Sequence, residues 1–458
     1  MILTKEKTFY KSLFSLALPI ALQGLLGFAF TFSDSIMTGG LGDGAVAGVY
    51  LGGQIQLLLQ ISCVGIDGAL ILLASHHWGR RNTEAVSKIS TIALCASAAL
   101  GLFFTLSSSL FPKGIISLFT NGSDALLSGA EYLSVIAPSF ILFSLTQSLI
   151  ASMRSVEAPW AGLAAASASL SVKLVLNYVF IFGKLGAVAL GIRGAALSTL
   201  ISRACELLLA TVCLFIVNKK SSVFPKKLAQ TDKDLVIKFF KYGLPVMAGQ
   251  LVWAFNNLLA SAIMGRSGGE GVLAGLSSAN ALNGISYAVI TGASGALSII
   301  IGKTVGAEKD NLVKEYSKTA QILFFALGLL CCAAILILSR PFLTLYGTSA
   351  VAKGHAMNFI KIFALLSIAT SYQSACLVGL IKSGGDSRFT FLCDLFLILF
   401  VVLPLSISAM RLSFPPWALL LALKLDQPLK CIAGGIKVNK FNWIKNLTKD
   451  EDCANTRG

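Results

Sequence analysis

Apolar residues run through this chain in long blocks, broken by short clusters of charge, glycine, proline or asparagine. A bilayer core takes roughly 20 apolar residues per helix, so blocks of this length with few charges predict spanning helices. The breaks place twelve spans near 12–35, 46–75, 89–111, 131–153, 158–182, 192–216, 235–264, 272–301, 319–339, 355–380, 389–410 and 414–433. The last is the least regular, because Pro415, Pro416, Lys424, Asp426 and Pro428 fall within it. The first block shows no small-residue cleavage site and reads as an uncleaved signal anchor. The expected fold class is an all-α polytopic membrane protein.

Composition narrows this further. Of 458 residues, 55% are hydrophobic and 13% charged, where soluble domains carry about 25% charged residues. A soluble globular protein and a disordered chain are both excluded. The net charge of +16 raises the question of a polyanionic partner, and its distribution answers it. With twelve spans, 26 Lys and Arg fall on the side of the termini, Lys430 among them, 8 on the other side, and Lys173, Arg203 and Lys424 inside spans. Basic residues concentrate in cytoplasmic connections, so both termini are expected in the cytoplasm of a plasma-membrane protein. The surplus then faces anionic lipid headgroups of the bilayer, and no nucleic-acid partner is implied. The ten cysteines form no C-x-x-C pair and read as small buried hydrophobes.

The chain is written twice. Leu18-Pro19 matches Leu244-Pro245, and from Ile36-Met37 against Ile263-Met264 the register holds at an offset of 227. Gly42, Gly44, Gly48, Gly65, Gly68 and Gly79 meet Gly269, Gly271, Gly275, Gly292, Gly295 and Gly306, and 11 of 44 positions are identical over this stretch. Six spans per half is an even number, so both halves insert with the same orientation. Two pseudo-symmetric six-helix lobes follow, a parallel repeat found in alternating-access carriers. The expected organisation is an N-lobe at 1–217, a cytoplasmic linker at 218–234, a C-lobe at 235–434 and a cytoplasmic tail at 435–458.

Ionisable groups at membrane depth cost about 2.5–3.5 kcal/mol and therefore mark function. Asp34 in the outer half of the first span has no acidic repeat mate, and reads as a carboxylate that binds a proton or cation. Lys173 and Asn177 are four apart and share a helix face. The expectation is that Lys173 pairs with Asp34 or Asp67. Arg203 and Glu206, three apart, are expected to satisfy each other, and Asp394 is either a gate or interfacial. Pro19 and Pro245 interrupt matching spans and are expected bending points. The second half offers neutral polar groups for a substrate cavity: Gln250, Asn256, Asn257, Ser261, Asn280, Asn283, Tyr287 and Gln373. Such a cavity suits amphipathic organic cations. The neighbouring His76 and His77 point apart on a helix, so no metal site is expected. No nucleotide fingerprint and no catalytic pair is visible, so neither ATP-driven transport nor enzymatic activity is expected.

These residues carry a family resemblance. Ala17-Leu18-Pro19, Asp34-Ser35-Ile36-Met37 with Gly39 and Leu41-Gly42, and Leu176-Asn177-Tyr178-Val179-Phe180-Ile181-Phe182-Gly183 followed by Gly194-Ala195-Ala196 are similar to segments of the multidrug and toxic compound extrusion (MATE) family, in its NorM-like and DinF-like branches. Phe441-Asn442-Trp443-Ile444-Lys445 also fits. The resemblance implies twelve helices around a cleft and export of organic compounds in exchange for H⁺ or Na⁺, with no other cofactor. It carries the coupling acid onto Asp34. It also implies an Asn and then an Asp or Asn four residues later on the fifth span, where this chain has Lys173 and Asn177. The acids that some relatives use on spans seven and ten fall here on Ala254 and Ser371. A monomer with a small organic substrate is expected. The alternatives are a lipid-linked oligosaccharide flippase of the same architecture and, in another class, a non-transporting scaffold or sensor.

Overall fold

The computed structural model describes residues 3–38, 43–118, 123–184, 186, 188–221, 233–345 and 350–448, the side chains at 31, 32, 34–36, 43–47, 123–125, 220, 221, 265–270, 273, 274, 345 and 350 excepted. Among them there is no strand. The helices are α1 (Lys7–Thr38), α2 (Asp43–Gly79), α3 (Thr83–Leu110), α4 (Pro112–Ser117), α5 (Ser123–Ile136), α6 (Pro138–Ser155), α7 (Trp160–Phe182), α8 (Ile192–Ser221), α9 (Lys233–Gly306), α10 (Asp310–Leu345), α11 (Ala350–Gln373), α12 (Ser387–Leu397), α13 (Leu403–Arg411), α14 (Pro416–Leu423) and α15 (Asp426–Asn439). Among the described residues, ten helical segments are long and apolar enough to cross a membrane, or eleven with one bent pair, α9 counting twice through Lys233–Met264 and Gly275–Gly306.

The differences from the twelve expected spans have local causes. The fourth span is two helices bent by 52°. Pro138 opens the second of them, where its ring removes a backbone donor and crowds the carbonyl one turn back. The expected gap between 264 and 272 does not appear, because helical hydrogen bonding continues through all 74 residues of α9. The twelfth span is broken: α14 starts at Pro416, stops at Leu423, and α15 restarts at Asp426 and runs on to Asn439. Between the last residue of α11 and α12 lies a π-helical stretch, Ser374–Lys382, and a second, Ile398–Val402, joins α12 to α13. The sequence pattern marks neither, because both keep an apolar composition. Most of the linker expected at 218–234, and the tail beyond 448, lie outside the described residues.

The chain divides into two compact units. One comprises Met1–Ala21, Ser75–Arg81 and Leu244–Gly458; the other comprises Leu22–Ala74 and Asn82–Gly243. The first is called the C-half unit below, the second the N-half unit. In the N-half unit, α7 packs along α8 and α3 along α6. Its core includes Leu59, Tyr132, Leu133, Ile136 and Phe140, all essentially inaccessible. In the C-half unit, α10 packs along α11, and α11 also packs on α15. Here Met264, Phe359, Ile360, Leu419 and Leu420 form the core.

In the C-half unit the end of α2 crosses the end of α9 at backbone contact. A Cβ on Gly79 would collide with the carbonyl oxygen of Lys303, and one on Gly306 with that of His76. Small residues let helix backbones approach this closely.

Candidate functional site

The N-half unit holds its polar side chains on facing helices. On α7, Ser169, Lys173 and Asn177 recur every four residues and are fully buried. That spacing puts them in one row, and small partners on α8 accept the row. Asn177 accepts a hydrogen bond from the Ser198 hydroxyl, and the Ser169 hydroxyl donates to the Ser202 carbonyl at 3.1 Å. The Lys173 ammonium stands 3.5 Å from the centroid of the Phe30 ring, and the Arg203 guanidinium lies 4.1 Å from the same ring and 4.6 Å from that of Phe143. A cation over a desolvated ring gains about 2 kcal/mol, which helps Lys173 tolerate complete burial. Arg203 also donates to Glu206 at 2.6 Å, as their spacing leads one to expect. Phe30 sits one turn before Asp34 on α1. The side chain of Asp34 lies outside the described residues.

A second cluster joins α1, α2, α6 and α7. Arg154 donates to the Gln23 carboxamide, and the Arg154 charge acts on Asp67. One Asp67 carboxylate oxygen is buried and accepts no hydrogen bond; the Arg154 Nε is buried and donates none. Gly162 leaves the room in which the Gln23 carboxamide sits, since a Cβ there would be 2.8 Å from its oxygen. The charge acting on Asp67 comes from Arg154 at the end of α6, where the sequence pattern suggests Lys173; the other expected pairing, of Lys173 with Asp34, falls on a side chain outside the described residues.

The C-half unit holds the denser charge cluster. Lys430 on α15 donates to Asp394 at 2.8 Å and to Asp426 at 2.7 Å. Its side chain is 5% exposed, that of Asp426 3% and that of Asp394 21%. Lys430 therefore does not belong with the interfacial cations among which its sequence position counts it. Lys424, in the break between α14 and α15, donates to the Asn257 carboxamide at 3.2 Å. Lys382 lies within electrostatic reach of Asp394, as Lys424 does of Asp426. Tyr287 is within reach of both Asp394 and Lys430, and its ring stacks on Trp253 with centroids 6.2 Å apart and planes 11° from parallel. A Cβ on Gly249 would stand 3.9 Å from the second carboxylate oxygen of Asp394. Gln427 accepts from Thr370 at 3.2 Å and also from Gln373.

Of the expected cavity residues, Asn257, Tyr287 and Gln373 take part in this polar region. Asn256 is buried, Gln250 and Asn283 are half-buried, and Ser261 and Asn280 are exposed. Ser261 donates to the Asn257 carbonyl at 3.1 Å, within its own helix. Pro19 and Pro245 both lie inside helices, α1 and α9. Sequence reasoning missed the Asp394–Lys430–Asp426 cluster. The available signal was Asp426 and Lys430, four apart in an otherwise apolar last span, a spacing that forms ion pairs on a helix face.

A family model described as MatE matches the chain twice, over residues 19–179 and again over 245–407. The chain belongs to the MatE family. The double match also confirms the internal repeat, one copy of the family's unit in each half. Among MATE relatives, an uncharacterized transporter of Bacillus subtilis, YisQ, is 24% identical over 84% of this chain and 83% of its own length. A probable multidrug resistance protein NorM of Bacillus cereus is 26% identical over 78% of this chain and 80% of its own. An outward-facing structure of a multidrug resistance MATE family transporter superposes with a TM-score of 0.84 at 18% identity, covering 94% of this chain and 96% of that one. The chain is therefore a multi-pass membrane protein with the twelve-helix, two-lobe MATE fold, and an efflux transporter by family.

Proposed function

We propose that the protein exports amphipathic organic compounds from the cell across the plasma membrane by alternating access, in exchange for protons, with both termini in the cytoplasm. The observation that carries the coupling half of this reading is Asp67. Its carboxylate oxygen is buried without a hydrogen bond, and a bound proton on that oxygen would convert it into a donor. Asp34, one turn beyond the Phe30 ring on which Lys173 and Arg203 converge, is the second candidate carboxylate. Protonation of Asp67 removes the negative charge that faces the buried Arg154 and so favours a different packing of α2 against its neighbours. A proton serves this set better than Na⁺, because a metal ion would have to share the interior with Lys173, Arg154 and Arg203. Pro19 supplies a point at which α1 can bend. The neutral polar groups of α9 and the Trp253–Tyr287 pair suit the apolar, aromatic bodies of such compounds.

Proteoliposomes carrying the purified protein test this with two probes of opposite charge, ethidium and 1-anilinonaphthalene-8-sulfonate, and an imposed proton or sodium gradient. Movement of the transported probe should follow the proton gradient, and Asp34→Asn or Asp67→Asn should uncouple it. Unchanged coupled transport in both variants, or dependence on Na⁺ alone, refutes proton coupling through these acids.

A further inference from the structure

The interior cluster of the C-half unit carries more positive than negative charge. Lys382, Lys424 and Lys430 stand against Asp394 and Asp426. The two carboxylates share Lys430, at 2.8 and 2.7 Å, so their nearest cation is already part of the protein. Lys424 is different: the partner bonded to its ammonium is a neutral carboxamide, that of Asn257, at 3.2 Å. A charged side chain among apolar helices is expensive unless paired or functional, and an amide neutralises nothing.

The surroundings of Lys424 form a row along α9. Gly249, Trp253 and Asn257 follow at intervals of four and share one helix face. The row spans roughly 12 Å at 1.5 Å per residue. At the Gly249 end lies Asp394, already held by Lys430. In the middle stands the Trp253–Tyr287 stack, with Trp253 39% and Tyr287 40% exposed. At the far end Asn257 holds Lys424. A molecule lying along the row would thus meet an exposed aromatic platform and then an ammonium without a carboxylate bonded to it.

We infer that this row is a binding site for an amphipathic organic anion, whose planar apolar body packs on Trp253 and Tyr287 and whose carboxylate, sulfonate or phosphate group is taken by Lys424 and the Asn257 amide. An organic cation is disfavoured by the same geometry. It would have to displace Lys430 from Asp394, leaving three lysine ammonium groups and the incoming charge to share two carboxylates. The inference rests on the proposed export of amphipathic compounds and fixes the charge that such a compound carries in this half.

The test uses two probes with the same ring, naphthalene-2-sulfonate and a naphthyl trimethylammonium salt. Equilibrium binding to the purified full chain is followed by quenching of tryptophan fluorescence. The sulfonate should bind more tightly than the ammonium salt. Lys424→Gln should weaken sulfonate binding about tenfold or more, the loss expected for one charge-assisted contact. Lys424→Arg, which keeps the charge, should restore most of it and so separates lost binding from lost folding. Tighter binding of the ammonium salt, equal sulfonate binding by Lys424→Gln, or no binding of the sulfonate overturns the inference. Transport is then measured separately in proteoliposomes. Sulfonate that binds through Lys424 but is not moved by any ion gradient counts against the proposed exporter and leaves the site standing.

Discussion

Gly79 and Gly306, 227 residues apart in a sequence that repeats itself at that interval, close on one another's helices in matching fashion. Gly79 abuts the carbonyl of Lys303 and Gly306 that of His76, and Lys303 itself lies 227 residues after His76. The two repeats thus meet through equivalent atoms of α2 and α9, related by a local pseudo-two-fold relation.

Substitution here has no flexible neighbour to move, because the obstructing atoms are backbone. Gly79→Ala and Gly306→Ala should each destabilise the protein by about 1–3 kcal/mol, the usual cost of overpacking. The two losses should be similar. Gly53→Ala, where an added Cβ meets nothing within 4 Å, should instead stabilise α2 by up to about 1 kcal/mol. Thermal unfolding midpoints of the three variants in detergent check this.

Lys430→Met should be among the most damaging single changes in the C-half unit. It strands Asp394 and Asp426 as buried acids without their shared cation, a loss of about 3–5 kcal/mol when one partner of a buried pair is removed. Asp394→Asn should cost less, since Lys430 keeps Asp426 at 2.7 Å. Unfolding midpoints of the two variants, compared in one detergent, give the ordering.

Pro19→Ala and Pro245→Ala each restore a backbone donor inside a helix. A proline in a helix interior costs about 3 kcal/mol, so both variants should be more stable than the parent. If the prolines are the bending points of transport, both should also export more slowly. Paired measurements of melting midpoint and of flux of the transported probe in proteoliposomes separate the two effects.

Asp386 makes part of the C-half unit sensitive to acid. Burial opposes its charge, but hydrogen bonds from Lys437 and Lys445, at 3.0 and 3.1 Å, prevail and hold its carboxyl below the usual range. A group whose folded pKa is depressed contributes stability above its unfolded value, about 3.9 for Asp, and loses it as pH falls through the folded one. The segment it anchors is well tied: Trp443 is fully buried and donates to the Val438 carbonyl, and the Lys445 amide donates to the Gly384 carbonyl at 2.7 Å. Asp386→Asn should therefore raise hydrogen exchange across 441–448 at neutral pH. The parent should show the same increase only below about pH 4. Exchange mass spectrometry at both pH values reads this directly.

Spanning helices, the duplication and the family were legible because they depend on composition and on spacing along the chain. Apolar length alone makes a spanning helix, and ordered glycines in one register reveal a repeat. Interruptions were harder to place. Pro138 and the pair Pro415-Pro416 were visible as residues, yet whether a proline ends a helix, as at 138, or sits inside one, as at 19 and 245, depends on what neighbouring helices supply to the freed carbonyls. The π-helical stretches left no mark at all in the apolar pattern.

The same division holds for the polar interior. The sequence determined that Lys173, Asn177, Asp67 and Lys424 fall within long apolar stretches, and that Arg203 reaches Glu206 within one helix, because both follow from position and local geometry. Only the tertiary structure decided the long-range partners. Lys173 met the Phe30 ring, Asp67 came under the charge of Arg154, and Asp394 was brought to Lys430. Each of those choices joins helices distant in sequence, and helix packing, which no periodicity encodes, sets which charge lies within reach of which.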